Sequence, residues 1–204
     1  MAVLSIVIGY VVGAIPISYL VGRIGGRNLL TEGSGGVSGT AAIERLGLLI
    51  GSAAGLADAL KPVAVVLVVQ RVGGYEVSAV AGVAAVVGHI WPVTLRFRGG
   101  RGIGPAGGVL AALGAWHMVL AFAGLVLGKV AVNDSAPGAL IGFFLTAIVL
   151  SLIGSSETLV LTGWAVLGLL VVGRLIGYRK KAPPRDVSIA KLFWRRLFLD
   201  RDHN

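Results

Sequence analysis

Long apolar segments dominate the chain and limit it to folds that a lipid bilayer can solvate. Of the 204 residues, 56% are hydrophobic and 13% are charged, whereas soluble proteins are about 25% charged. A helix needs about 20 apolar residues to cross the hydrocarbon core of a bilayer. Six segments reach or approach that length: 2–22, 48–70, 77–95, 103–128, 137–153 and 158–177. The predicted fold class is therefore all-α, a polytopic membrane protein.

Basic residues indicate the side of the membrane on which each connecting segment lies, because cytoplasmic loops are rich in lysine and arginine. Segments 23–47 and 96–102 each contain three arginines, and the C-terminal tail is strongly basic. If all three are cytoplasmic, the N-terminus is outside and the number of crossings is odd. A break at Gly114 would split the fourth apolar segment into two short helices and give that parity. We predict about seven membrane helices, two of them short, with five conventional crossings as the alternative.

The last part of the chain differs in composition from the rest. Residues 1–178 are predicted to form a single membrane domain, and residues 179–204 a basic cytoplasmic tail. Within the tail, 187–199 is predicted to form an amphipathic helix whose apolar face suits the surface of the inner leaflet. Simple anchoring of the tail is the alternative reading of this helix.

Charge and composition narrow the possible partners and cofactors. The formal net charge is +9, and a basic surface beside a bilayer favours anionic lipid headgroups. Membrane lipids are therefore predicted partners, and nucleic acid is not. The chain has no cysteine and only three histidines, so neither a disulfide nor a metal site is expected.

The first polar loop, Gly33–Thr40, has the composition of a phosphate-binding loop. It contains four glycines, two serines and a threonine, and glycine-rich backbone allows successive N–H groups to converge on an anion. A helix that follows would add its positive N-terminal end, and Arg45 could add a forked contact to phosphate. A flexible connection between two helices is the alternative.

The second polar stretch, Gly88–Gly102, interleaves arginine with glycine at a predicted membrane surface. Arg98 and Arg101 flank Gly99 and Gly100, and guanidinium groups on a compliant backbone suit a phosphate ester. Arginines that only set the membrane orientation are the alternative, although orientation does not require the glycines. His89 could act as a general base or could orient the loop by hydrogen bonding.

Asp58 and Lys61 are ionisable residues within the second apolar segment. Their spacing places them on one helix face, where they can pair. Charged residues at membrane depth are rare and often functional, but a pair that only stabilises helix packing is an equal alternative.

The order and spacing of these motifs resemble those of the bacterial acyl-phosphate:glycerol-3-phosphate acyltransferases over roughly residues 5–178. Gly33–Gly47 aligns with the Gly-Ser-Gly loop of that family without a gap, and Asp58 with Lys61 matches its Asp-x-x-Lys motif. The second stretch is the most specific match, with seven motif residues in place: Gly88, His89, Pro92, Phe97, Gly99, Gly100 and Gly102. Family members have seven membrane helices with the N-terminus outside.

This resemblance implies a multi-pass acyltransferase of the bacterial inner membrane with cytoplasmic site loops. It would transfer an acyl chain from acyl phosphate to glycerol 3-phosphate and form lysophosphatidic acid, without a metal or organic cofactor and as a monomer. The implied catalytic residues are Ser34, Arg45, His89 and Arg101. The implied phosphate-binding residues are Gly33, Gly35, Gly36, Ser38, Thr40, Arg98, Gly99, Gly100 and Gly102, with Asp58 and Lys61 as a supporting ion pair.

The chain departs from the family pattern at several polar positions. Gly36 and Ala41 stand where members have asparagine, and Glu44 stands where they have arginine. Arg98 and Arg101 replace two lysines, which keeps the charge and changes the donor geometry. The alternatives are therefore a divergent paralogue with another acceptor and a protein that binds lipid phosphate without catalysis. A small transporter ranks behind both, because the sequence shows no internal repeat.

Overall fold

The computed structural model describes residues 1–32, 36–132, 134–176 and 188–199. Within these ranges the chain is helical and contains no strand, as predicted. The helices are α1 (Ala2–Gly13), α2 (Ile17–Ile24), α3 (Gly39–Leu46), α4 (Leu48–Ile90), α5 (Ile103–Ala112), α6 (Val119–Val132), α7 (Ser135–Leu152), α8 (Glu157–Ile176) and α9 (Ile189–Leu199).

The long helix α4 is a hairpin of two helices that joins two of the predicted spans. Gly74 has φ 83° and ψ 178°, a backbone conformation that glycine adopts without steric cost. A methyl group on Gly82 would lie 2.7 Å from Val66 Cγ2, so the two halves of α4 pack against each other. The predicted break between 48–70 and 77–95 is therefore confirmed.

The first predicted span, 2–22, is not one continuous helix. Helix α1 ends at Gly13 and α2 begins at Ile17, with Pro16 at the start of α2. Proline interrupts a helix because it lacks an N–H donor and its ring clashes with the carbonyl four residues earlier. The uninterrupted helix expected there is wrong, and the break becomes important for the site described below.

Four segments of the described chain are long and apolar enough to cross a membrane: Ala2–Ile24, Leu48–Leu95, Ser135–Leu152 and Glu157–Ile176. The second of these contains the α4 hairpin. The predicted break at Gly114 is also present, since Gly114 has φ 84° and separates α5 from α6, which are both short and apolar. The polytopic all-α class is confirmed, while the outside location of the N-terminus stays a prediction.

Helix α9 forms within the predicted segment 187–199 and begins at Ile189. It packs against the ends of α7 and α8, and Leu197 contacts the main apolar core. Ile189, Phe193 and Trp194 on the same helix remain exposed. Part of the predicted apolar face therefore binds the protein itself, and contact of the remainder with lipid stays a prediction. The predicted tail residues 179–187 and 200–204 lie outside the described residues.

Candidate active site

The part of the second polar stretch that follows α4, residues 91–102, is called the second loop. A cavity of about 660 Å³ lies where α3, the first half of α4, this second loop and the helices from α5 to α8 meet. Its polar wall includes Ser38, Thr40, His89 and Arg101. The remaining wall is largely apolar and includes Leu56, Ala59, Phe122, Leu125 and Phe143. A cavity lined by both polar and apolar side chains suits an amphipathic ligand.

The first loop leads into α3, whose N-terminus lies at the wall of this cavity. The Ser38 hydroxyl caps α3 by accepting a hydrogen bond from Ala41 N at 3.2 Å. Gly39 lies close to α4, since a methyl group there would sit 3.0 Å from Gly55 Cα. Gly39 and Thr40 line the cavity, so the positive end of α3 faces the space that a ligand would occupy.

The second loop folds back against the end of α4. Arg96 (φ 53°) and Phe97 (φ 62°) both adopt the left-handed conformation, which side-chain-bearing residues adopt uncommonly. Gly100 N then donates to His89 O at 3.2 Å. A methyl group on Gly100 would overlap both His89 Nε2 and the carbonyl of Val37. The two loops predicted to bind phosphate therefore meet at Gly100.

We expect Gly100→Ala to disrupt this meeting point. Because its methyl group would overlap backbone and a buried histidine, the first loop must move away from the second. A backbone shift of this kind typically costs about 1–3 kcal/mol and should lower the melting temperature of the detergent-solubilised protein. Gly168→Ala is the matched control, because a methyl group there meets no atom within 4 Å. Equal melting temperatures for the two variants would contradict this account of the loop contact.

Arg101 and Arg174 both line the cavity. Arg101 Nη1 donates to Gly173 O at 3.3 Å, which ties the second loop to the end of α8. Arg174 is 1% exposed and was absent from the sequence-based set of site residues. The only sequence signal is a single arginine near the end of the apolar segment 158–177.

Asp58 and Lys61 form the predicted ion pair, with Lys61 Nζ 2.9 Å from Asp58 Oδ1. The Asp58 carboxylate also accepts from Ile17 N at 3.2 Å and from Ser18 N at 3.1 Å. Lys61 Nζ donates to Gly13 O at 2.9 Å and also to Ile15 O. The ion pair thus provides hydrogen-bond partners for backbone groups on both sides of the break between α1 and α2.

This arrangement explains why charges are retained inside a membrane segment. Backbone groups left unpaired at a helix break would be costly in a bilayer, where no water can satisfy them. A further backbone carbonyl at this break, Ala14 O, accepts a hydrogen bond from the Thr94 hydroxyl at 2.7 Å. The sequence left open whether Asp58 and Lys61 have a functional role or stabilise helix packing. The geometry supports the role in helix packing.

His89 lies between this ion pair and the second loop. It is 7% exposed, and its Nδ1 is 3.8 Å from Asp58 Oδ1. The Nε2 side of the ring packs against Gly100. Both ring nitrogens therefore face protein groups, an arrangement that suits a positioning residue better than a general base.

The structure brings only part of the predicted site together. Of the predicted site residues, those that line the cavity are Ser38, Thr40, Asp58, His89, Arg101 and Gly102. Gly99 and Gly100 are buried behind His89, whereas the Arg98 side chain is exposed. Gly36 and Lys61 are described but are not among the lining residues, and Gly33, Ser34 and Gly35 lie outside the described residues.

Helix α3 presents Glu44 rather than Arg45 to the cavity. The two residues are adjacent, so they project about 100° apart around the helix axis. Arg45 is not among the residues that line the cavity. Its catalytic role stays an untested prediction.

Three further lining residues, Asp134, Ser135 and Ala136, come from the start of α7. Asp134 caps this helix by accepting from Ala136 N at 2.9 Å. The sequence placed these residues in a short connection and gave no reason to associate them with the two loops. Among the described residues, no group of three histidine, aspartate or glutamate side chains could hold a metal ion.

The fold defines a multi-pass integral membrane protein whose cavity is lined by both polar and apolar side chains. The sequence profile of the family "Glycerol-3-phosphate acyltransferase" matches residues 3–183. This chain therefore belongs to the glycerol-3-phosphate acyltransferase family.

Individual relatives agree with this assignment. Glycerol-3-phosphate acyltransferase 5 of Dehalococcoides mccartyi is 30% identical over 98% of this chain and 88% of that relative. Glycerol-3-phosphate acyltransferase 2 of Moorella thermoacetica is 37% identical, and the match covers 60% of this chain and 63% of that protein, a little under two thirds of its length.

The fold also resembles that of a solved structure. The crystal structure of PlsY, an integral membrane glycerol 3-phosphate acyltransferase, in its glycerol 3-phosphate form superimposes with a TM-score of 0.77. The match covers 88% of this chain and 96% of the other, at 22% sequence identity. At this identity the likeness shows the shared fold.

Proposed function

We propose that this protein transfers an acyl chain from an acyl phosphate to glycerol 3-phosphate and releases lysophosphatidic acid and inorganic phosphate. The observation that carries the proposal is the contact between both polar loops at Gly100, beside a cavity whose wall is largely apolar. The N-terminus of α3 and the Arg101 guanidinium at the cavity wall favour phosphate there. The apolar wall near Phe122 and Leu125 suits the acyl chain.

The reaction needs little from the protein beyond position and charge. The primary hydroxyl of glycerol 3-phosphate attacks the acyl carbonyl, a new C–O bond forms, and the bond between the carbonyl carbon and the phosphate oxygen breaks. The leaving phosphate carries away the two electrons of that bond and takes the hydroxyl proton. Arg101 and the α3 amides stabilise the charge that develops on the leaving group, while the walls of the cavity hold the two substrates in contact.

His89 acts in this scheme by holding the second loop in place. Its Nδ1 faces Asp58 and its Nε2 side faces Gly100, so proton transfer to the leaving phosphate is the simpler route. Ser34, predicted as a further donor to phosphate, lies in the part of the first loop outside the described residues and keeps that role as a prediction.

The proposal is tested by product analysis with the purified protein in detergent. Palmitoyl phosphate and labelled glycerol 3-phosphate should give lysophosphatidic acid, identified by mass spectrometry, and palmitoyl-CoA in place of the acyl phosphate should not. A known family enzyme in the same detergent serves as the positive control. Absence of product from folded protein, with the control active, would contradict the proposal.

Glu44 on the cavity wall favours a second candidate, an acyltransferase with a different acceptor. Its carboxylate is exposed and lines the cavity, where it would repel a dianionic acceptor. Uncharged glycerol should therefore be assayed beside glycerol 3-phosphate. Faster acylation of uncharged glycerol than of glycerol 3-phosphate would favour this second candidate.

We further propose that the protein lies in the bacterial inner membrane with both site loops in the cytoplasm, on the basis of the arginines in 23–47 and 96–102. Because the chain has no cysteine, single cysteines can report the topology. Arg98→Cys should react with a membrane-impermeant maleimide only after permeabilisation of spheroplasts. Ser155→Cys, between α7 and α8, should react in intact spheroplasts. The reverse pattern would contradict the orientation.

A further inference from the structure

Three consecutive residues at the end of α8 connect it to the second loop and to α9. Gly173 O accepts from Arg101 Nη1 at 3.3 Å, and Leu175 O accepts from Arg196 Nη1 at 2.8 Å. Between them, Arg174 Nη1 donates to Leu197 O at 3.0 Å. The last carbonyls of a helix have no partner within the helix, so two arginines from other elements cap α8. Helix α9 is thus joined to the two residues that directly follow Gly173, the residue that the second loop binds.

Arg174 is the largest fully buried side chain among the described residues, with 1% of its surface exposed. Arginine remains protonated in proteins, so a full positive charge is held inside a membrane domain. Such charges are costly and usually mark a ligand or ion site. Arg174 also lines the cavity that contains Arg101, so its charge lies at the wall of the proposed active site.

We propose that Arg174 binds a phosphate monoester in the cavity together with Arg101, and that α9 positions its guanidinium group. The inference deepens the proposed function, on which it rests for the identity of the substrates. A guanidinium group has five N–H donors in a fixed plane. The bond from Arg174 to Leu197 O fixes the orientation of that plane, and phosphate is a favoured acceptor for a guanidinium held in this way.

This assignment gives α9 a role beyond membrane anchoring. Leu197 packs against the main core and supplies the carbonyl that Arg174 binds, while Arg196 holds α9 onto α8. If Arg174 served only to hold α8 and α9 together, its replacement would reduce the stability of the fold without a selective effect on ligand affinity.

The test measures equilibrium binding, which does not depend on turnover. Isothermal titration calorimetry with the full-length protein in detergent would use two phosphate monoesters, glycerol 3-phosphate and hexadecyl phosphate, which cannot transfer an acyl group. Arg174→Gln should weaken binding of at least one ester about tenfold or more, because a charge-assisted forked contact is lost. Arg174→Lys should weaken it less, and Arg196→Ala should weaken the same ester by about two- to fivefold through misorientation.

Lys191→Ala is the matched control, because Lys191 is an exposed cation of α9 and its removal should leave both affinities unchanged. A selective loss for glycerol 3-phosphate places Arg174 at the acceptor phosphate, and a loss for hexadecyl phosphate places it at the donor phosphate. Unchanged affinity for both esters in folded Arg174→Gln would overturn the inference. If that variant does not fold, unchanged affinity in Arg196→Ala overturns it instead.

The same preparations separate this inference from the proposed function. Wild-type protein that binds an ester through Arg174 but forms no lysophosphatidic acid would contradict the acyl-transfer proposal and support the phosphate site. Wild-type protein that transfers the acyl chain while Arg174→Gln binds both esters normally would support the acyl-transfer proposal and overturn the phosphate site. Wild-type protein that binds neither ester would contradict both.

Discussion

Replacement of Arg101 by alanine is expected to lower kcat/KM for acyl transfer by about 10³-fold, a typical loss when a preorganised donor to developing charge is removed. Arg101 is a cation that lines the cavity, and its bond to Gly173 O holds it beside α8. The measurement is the initial rate of lysophosphatidic acid formation under subsaturating concentrations of both substrates. Arg101→Lys should retain more activity, because lysine occupies this position in the family pattern.

Arg96→Ala controls for removal of a positive charge from the same loop. Arg96 is exposed and does not line the cavity, so its activity should stay within about threefold of wild type, as for surface substitutions generally. If Arg101→Ala and Arg96→Ala lose activity equally, the activity depends on the overall positive charge of the loop and not on the position of Arg101. The placement of Arg101 at the leaving phosphate would then be wrong.

The second large effect is expected on stability, from Asp58→Ala. The Asp58 carboxylate satisfies Ile17 N, Ser18 N and Lys61 Nζ inside the membrane domain. Loss of one partner of a buried ion pair costs about 3–5 kcal/mol, which corresponds to a fall in melting temperature of roughly 10 °C for a chain of this size. Asp58→Asn keeps one acceptor oxygen, so its melting temperature should fall less than that of Asp58→Ala. The measurement is thermal unfolding in detergent, followed by tryptophan fluorescence.

Arg71→Ala is the control for this second prediction, because it removes an exposed charge from the same helix. It should melt within about 2 °C of wild type. If Asp58→Ala and Arg71→Ala have the same melting temperature, the carboxylate of Asp58 is not needed to stabilise the break between α1 and α2. Normal stability combined with lost activity would return Asp58 to the functional role that the sequence had left open.

Much of the fold is predictable from the sequence because a bilayer demands long apolar helices. All six predicted segments correspond to described helices or helix pairs, and the breaks at Gly74 and Gly114 both fall at glycines with positive φ. The break in the first span was missed although Pro16 was visible in the sequence. Its stability depends on Asp58, Lys61 and Thr94 from distant positions, and hydropathy cannot detect such contacts.

The candidate site was predictable where the chemistry lies in one continuous motif. The two glycine-rich loops were found from composition, and their contact at Gly100 follows from the fold. Arg174 and the start of α7 were missed, because they reach the cavity only through the packing of α7 and α8. Glu44 and Arg45 show the limit of motif reading, since a shift of one residue on a helix changes which side chain reaches the ligand.

The acyl-transfer account is tested most directly by the stoichiometry of one reaction. Purified wild-type protein would be supplied with palmitoyl phosphate and labelled glycerol 3-phosphate, and lysophosphatidic acid and inorganic phosphate would be followed together. The account predicts that both appear at equal rates and that phosphate release requires the acceptor. Phosphate release without lysophosphatidic acid, or no release by folded protein while a known family enzyme is active, would contradict it.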